Sequence, residues 1–326
     1  MKRWWKIIVL TLLILAGVGV MSLVVGGMFG GVAQAFSLIE QEAQGRGKQL
    51  ARLKAQQFSG DDYVDETKMW ERLEKAMDED GHPVIREAHY ENKEVAAGAE
   101  IEKIVVEAGR CDLKLQEAEG DSYGISADDI PALQCYAKDG TLVVRINHNP
   151  KEQGHDGRVT LYLPRNRTIS EVTLELGAGK LTAEPFQAEE LTVRAGVGEI
   201  SLCGLKAEDV TIESGMGWME MRECEVTDDL VISTAMGGFC YQGRILGDVK
   251  AACGMGSVEM RVEGEREDFN YKTECAVGSI VIGEGGNTFW IGEHSLDNGA
   301  HKEMELECAM GAIEISFYEN GGNGYE

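Results

Sequence analysis

Residues 252–260 read ACGMGSVEM, a cysteine set directly before a Gly-x-Gly turn and an alternating apolar run. Two chemistries use such parts. A thiol on a tight turn becomes a nucleophile when a histidine or a cationic setting lowers its pKa. Glycine amides at the head of a helix cradle phosphate, but that fingerprint is G-x-G-x-x-G opening a helix. Here Glu259 stands where the third glycine belongs and a strand pattern follows. A single chain also has no use for seven copies of one phosphate cradle, and the G-x-G or A-x-G turn recurs through Gly179, Gly198, Gly217, Gly237, Gly256, Gly278 and Gly311. The turns therefore read as structural.

The residue just before each turn forms a column of its own: Ala195, Ser214, Thr234, Cys253, Cys275 and Cys308. This is a ladder of small side chains, and Cys253 belongs to it. Stacked repeats would bring Cys253 and Cys275 to disulfide spacing, so the expectation is packed thiols, with a Cys253–Cys275 disulfide as the alternative. None of the eight cysteines forms a C-x-x-C pair, which leaves a closed zinc site without support. The middle residue of the turns gives a second column, Ala178, Val197, Met216, Met236, Met255, Val277 and Met310. It is expected to fill the core, with soft-metal or hydrophobic contact as the competing use of the methionines. Asp209, Asp229, Asp248 and Asp268 each precede an apolar strand start; their period does not fit nonapeptide calcium repeats, and a turn hydrogen bond is the expected role. Trp218 takes an outward strand position suited to stacking on a sugar or a partner, unless other parts of the chain cover it. Phe289 and Trp290 lie in the long interval before Gly311, where a cap over the stack or a contact surface is expected. No catalytic residue, metal site or cofactor is assigned.

The elements that position these columns follow from periodicity. Successive turn glycines fall at nearly constant intervals from Gly179 to Gly278, and only the step from Gly278 to Gly311 is markedly longer. After each glycine two apolar residues stand one apart, as in Ile200 and Leu202, Met219 and Met221, or Val258 and Met260, while Glu220, Glu259 and Glu314 alternate with them. Alternation of this kind marks half-buried strands. One unit of about 20 residues cannot offset its own ordering entropy, so units must stack and share buried faces. The fold class expected is all-β, a parallel β-solenoid of about 19–22-residue coils, with a barrel or sandwich of hairpins as runner-up.

The run IEKIVVEAGRCDLKL, then VTLYLPRNRTISEVTLELGAGKLTAE, then the serial G-x-G strands resembles the putative-adhesin family of bacterial β-solenoids, over about residues 100–316. The resemblance implies a right-handed stack of short strands, often behind one membrane anchor and in some relatives linked to envelope-stress systems. It brings no catalytic residues.

Ahead of the repeats, residues 7–36 carry no ionisable side chain, enough for the ~20-residue helix that spans a bilayer. Lys2, Arg3 and Lys6 precede this run, which places the N-terminus in the cytoplasm and the rest outside the cell. Cleavage of a long signal peptide after Ala33-Gln34-Ala35 is the alternative. Three segments follow: 1–36, cytoplasmic tip and transmembrane helix; 37–96, a polar helical stalk or lead-in; and 97–326, the solenoid. In the lead-in Asp61 and Asp62 cap a helix on which Val64, Trp70, Leu73 and Met77 share a face. A net charge of -25 sets nucleic acid aside as a partner. The functional expectation is a non-catalytic adhesion or envelope-contact protein touching an envelope protein or glycan, its oligomeric state open. The alternatives are an accessory or sensing component of an envelope-stress system and, last, a polysaccharide-active enzyme.

Overall fold

A computed structural model describes residues 66–95, 100–147, 157–165, 167–283, 287–289 and 292–319. The chain divides into Met1–Tyr63 and Val64–Glu326, and the described residues belong to the second unit. The expected membrane span falls outside them; among the described residues no helix is long and apolar enough to cross a membrane.

The structure is mostly β and built from repeats. Among the described residues helix α1 (Glu66–Glu79) precedes β1 (His89–Asn92), β2 (Lys103–Glu117), β3 (Gly124–Asp128), β4 (Ala132–Lys138), β5 (Thr141–Asn147) and β6 (Arg158–Leu163). The repeats follow as β7 (Thr168–Ala183), β8 (Gln187–Cys203), β9 (Lys206–Val226), β10 (Leu230–Ile245), β11 (Val249–Glu263) and β12 (Phe269–Ile282). Short strands β13 (Asn287–Phe289) and β14 (Gly292–Leu296) then lead to the last long strand, β15 (Lys302–Tyr318).

Each repeat contributes one long strand that runs through its glycine corner, rather than two separate short strands. In β8, Leu191 and Val193 are buried before the corner and Ile200 and Leu202 after it, and all four join one core. The ladder skips one residue at each corner: Ala195 pairs with Ser214, and pairing resumes at Val197 with Met216. That skip resets the inward phase, so residues on both limbs reach the same core although an uninterrupted period of two would not bring them there.

The corner glycines are required twice over. Gly179, Gly198, Gly217, Gly237, Gly256, Gly278 and Gly311 have φ between +121° and +156°, a region that side chains disfavour. A Cβ built on any of them would also lie 1.7–2.1 Å from the carbonyl oxygen of the register partner on the preceding strand. Cys111 occupies this position in β2, opposite Gly179. Its side chain is admitted because the next layer is split: β5 pairs along 103–108 and β6 along 112–117, leaving no register partner across the β2 corner among the described residues.

Among the long strands, spatial order departs from sequence order at one place. The parallel path runs β2-β7-β8-β9-β10-β11-β15-β12, so the final long strand enters between β11 and β12. Gly256 therefore pairs with Gly311, and Gly311 with Gly278. The excursion between β12 and β15 supplies β13 and β14, which pair antiparallel with β12 on its outer side. Covering a terminal strand in this way occupies backbone groups that would otherwise template aggregation.

At the opposite end α1 packs against β2, β5 and β7. Met69, Leu73 and Met77, four apart, are buried and so lie on one face. Asp61, Asp62 and Val64 lie outside the described residues, as does the Trp70 side chain.

Candidate functional site

The methionine column is the main correction to the sequence reading. In spatial order it runs Ala178, Val197, Met216, Met236, Met255, Met310, Val277, each a register partner of the next. None of the seven is buried; Val197 is 41% exposed and Val277 59%. The core expectation failed because the glycine bend turns this residue to the convex side of the corner, while the strand residues beyond it face inward. Six strand steps of ~4.8 Å make an apolar ridge roughly 29 Å long.

Trp218 flanks the ridge. It lies in the row Glu199, Trp218, Gly238, Ser257 and is 43% exposed. A Cβ on Gly238 would come within 2.2 Å of the indole Cζ3, so the ring lies across the bare backbone of the neighbouring strand. Glycine without a side chain is what lets the aromatic lie down there. Of the other proposed contact residues, Phe289 falls in β13, with its backbone opposite Ile280, and Trp290 lies outside the described residues.

The column of small side chains faces inward, as expected, but in a different order: Ala195, Ser214, Thr234, Cys253, Cys308, Cys275. Cys253 and Cys275 are not neighbours, because Cys308 stands between them. The adjacency on which their disulfide depended was inferred from sequence order, and the insertion of β15 between β11 and β12 removes it. All three are buried, in a place suited to packing. Burial also pushes the thiols of Cys135 and Cys224 up to about 12, away from nucleophilic use at neutral pH.

Of the recurrent aspartates Asp268 makes the expected contact within a turn, whereas Asp209 and Asp248 reach the amide at the start of the neighbouring strand. Asp209 Oδ1 accepts the Asp229 amide at 3.1 Å, Asp248 Oδ1 accepts the Glu303 amide at 2.8 Å, and Asp268 Oδ2 accepts the Glu265 amide at 2.9 Å. Burial, then the carboxylates of Asp228, Asp248 and Asp209, raise the pKa of Asp229. No cluster of His, Cys, Asp or Glu suited to a metal ion occurs among the described residues.

A polar clasp at the end of α1 was missed by the sequence reading. Gln134 Nε2 donates to Asp80 Oδ1 at 2.7 Å and to the His82 carbonyl at 3.0 Å, and the Tyr136 hydroxyl donates to Asp80 Oδ2 at 2.9 Å. Arg145 pairs with Asp80 and, through Nε, with Glu107 Oε2 at 2.7 Å. His82 stacks on Tyr136, ring centroids 3.6 Å apart. Burial pushes the Asp80 carboxyl up, but the His82 amide, Tyr136, Gln134 and Arg145 together outweigh it and hold the group at about 2. The clasp fastens the end of α1 to the β4–β5 hairpin, and Arg145 links that hairpin on to Glu107 of β2. Its one sequence signal is a glutamine inside the strand ALQCYAK, at a position that proves fully buried.

With this geometry in place, family membership is clear. The family model described as Toastrack DUF4097 matches residues 101–288, more than half of the chain, and the chain belongs to that family. Among solved structures it is similar to a putative cell adhesion protein from Clostridium sporogenes, at 13% identity over 71% of this chain and 99% of that one, TM-score 0.36. It is also similar to a putative adhesin from Bacteroides fragilis, at 13% identity over 72% and 97%, TM-score 0.35. A putative lipid binding protein from Parabacteroides distasonis aligns at 12% identity over 74% and 98%, TM-score 0.21. No curated protein matches.

Proposed function

We propose that the protein is a non-catalytic envelope protein, held by a single N-terminal membrane span with its C-terminal part outside the cell, whose β-stack contacts another envelope protein or a glycan along the corner ridge. The stack is taken as a right-handed solenoid, the hand that parallel crossover connections adopt almost without exception. The observation that carries the contact role is the unbroken row from Val197 to Val277, outward-facing on seven parallel-paired strands with Ala178. A continuous apolar row, half-buried at its methionines and exposed at Val197 and Val277, with the exposed acids Glu199, Glu259 and Glu314 beyond it, has the anatomy of an interaction surface. The span and its orientation rest on the 7–36 run and its basic flank.

The test is retention of the full-length chain on purified wall glycan and on envelope membrane proteins, alongside Met236→Glu/Met255→Glu. Retention that the double variant loses supports the reading. Absence of retention, or retention indifferent to the variant, overturns it.

A second reading, a sensing or accessory role in envelope stress, is favoured by the clasp, since Gln134, Tyr136 and Arg145 fasten Asp80, at the end of α1, to the β4–β5 hairpin. A stress-response reporter unaltered by Asp80→Ala would count against it.

A further inference from the structure

We propose that Met216, Met236, Met255 and Met310 form a thioether ladder that binds a soft monovalent cation of the copper(I) class. The four stand on consecutive strands in one register. Neighbouring strands lie about 4.7–4.9 Å apart, and two sulfurs on one metal ion, at about 2.3 Å each, stand up to about 4.6 Å apart. The three side-chain torsions of methionine close the small remainder without any backbone movement. Thioether sulfur selects copper(I) over the harder divalent ions.

Two further features single out the ladder. The corner itself does not require methionine, because Ala178, Val197 and Val277 hold the same position at its two ends. The methionines are nevertheless contiguous, and they are so only because β15, which follows β12 in sequence, delivers Met310 beside Met255. Each methionine also lies between residues with little or no side chain: Gly215 and Gly217, Ala235 and Gly237, Gly254 and Gly256, Ala309 and Gly311. These neighbours leave the sulfurs unscreened along the strand on either side. The net charge of -25 adds a long-range attraction for cations.

Thioethers carry no proton to lose, so binding holds at pH 5.5, where thiol ligands must compete with protons. Thiols still outcompete thioethers for silver(I) at this pH, so accessible ones such as the exposed Cys203 are first capped with iodoacetamide. The probe is silver(I), a redox-stable stand-in of the same softness, added at pH 5.5 to the full-length chain labelled with [methyl-13C]methionine. The expected result is that one equivalent shifts the methyl resonances of the four ladder residues and leaves those of buried Met219, Met221, Met260 and Met304 in place. Met236→Leu/Met255→Leu keeps the volume and apolar character of the ridge but removes two thioethers, so silver(I) affinity falls at least tenfold. Ladder methyls that do not move in the wild-type chain, or a folded double variant of unchanged affinity, would overturn the proposal. Should the variant fail to fold, the wild-type methyl spectrum decides by itself.

Discussion

Gly311 faces Gly256 so closely that a Cβ on Gly311 would lie 2.1 Å from the Gly256 carbonyl oxygen, although the whole of β12 separates them in sequence. Gly278, nearer to Gly256 along the chain, is a strand further away in space. The corner column thus admits no side chain at any joint it shares, whichever segment supplies the strand.

Substituting a corner glycine is therefore costly. Gly256→Val meets both the +142° φ and a carbonyl at 1.7 Å, and about 3 kcal/mol or more of stability is expected to be lost. Gly120→Ala, where a Cβ would meet nothing within 4 Å, should stay within about 0.5 kcal/mol of wild type. Thermal unfolding of the two variants side by side checks the contrast; equal melting would contradict it.

The clasp makes stability depend on acid. Asp80 is held at about 2 against an ordinary 3.8, so the folded state binds fewer protons and the group's contribution is fully present above pH ~4. It is lost as pH falls through about 2, and amounts to about 2 kcal/mol. In Asp80→Asn this acid-dependent part should vanish, with the unfolding curves of variant and wild type converging near pH 2. Parallel curves down to pH 2 would show that Asp80 is not held as described.

His89 contributes with the opposite sign. Its Nδ1 lies 2.6 Å from Asp128 Oδ1, and that hydrogen bond, then the charge of Asp128, raise the imidazole pKa. Its contribution is present below the ordinary value of 6.5 and lost as pH rises through the raised one. Titration of the His89 ring by NMR should show a midpoint above 6.5 that returns to the ordinary value in Asp128→Asn.

The Trp218 indole depends on a neighbour with no side chain. Gly238→Val should lift the ring off β10, shifting its indole N–H resonance and increasing its access to quencher, while Ser257→Val, one strand further, should leave it in place. An unchanged indole signal in the Gly238 variant would contradict a ring that lies 2.2 Å from where a Cβ on Gly238 would stand.

Much of this fold was legible in the sequence because a strand face repeats every two residues. Ile200 and Leu202, or Val258 and Met260, announce their inward side without help from any partner, and all four are buried. The corner methionines misled for a physical reason: hydrophobicity at Met216 or Met255 says nothing of direction once a glycine bend breaks the alternation. Strand order was hidden because the corners at Gly256, Gly278 and Gly311 share one grammar, so each fits beside either of the others. The clasp was hidden because Asp80 meets Gln134 and Arg145 across 54 and 65 residues, a separation that no local pattern encodes.

The four ladder methionines are contiguous only if β15 lies between β11 and β12, and cross-linking at the row beside the corners tests that most directly. Ser257 pairs with Ala312, and Ala312 with Ser279. In the full-length chain, Ser257→Cys/Ala312→Cys should give an oxidative cross-link between positions 257 and 312, identified by peptide mass spectrometry, whereas Ser257→Cys/Ser279→Cys should give none between 257 and 279. Efficient linkage of 257 to 279, with 257 to 312 failing, would place β12 directly against β11 and contradict the account.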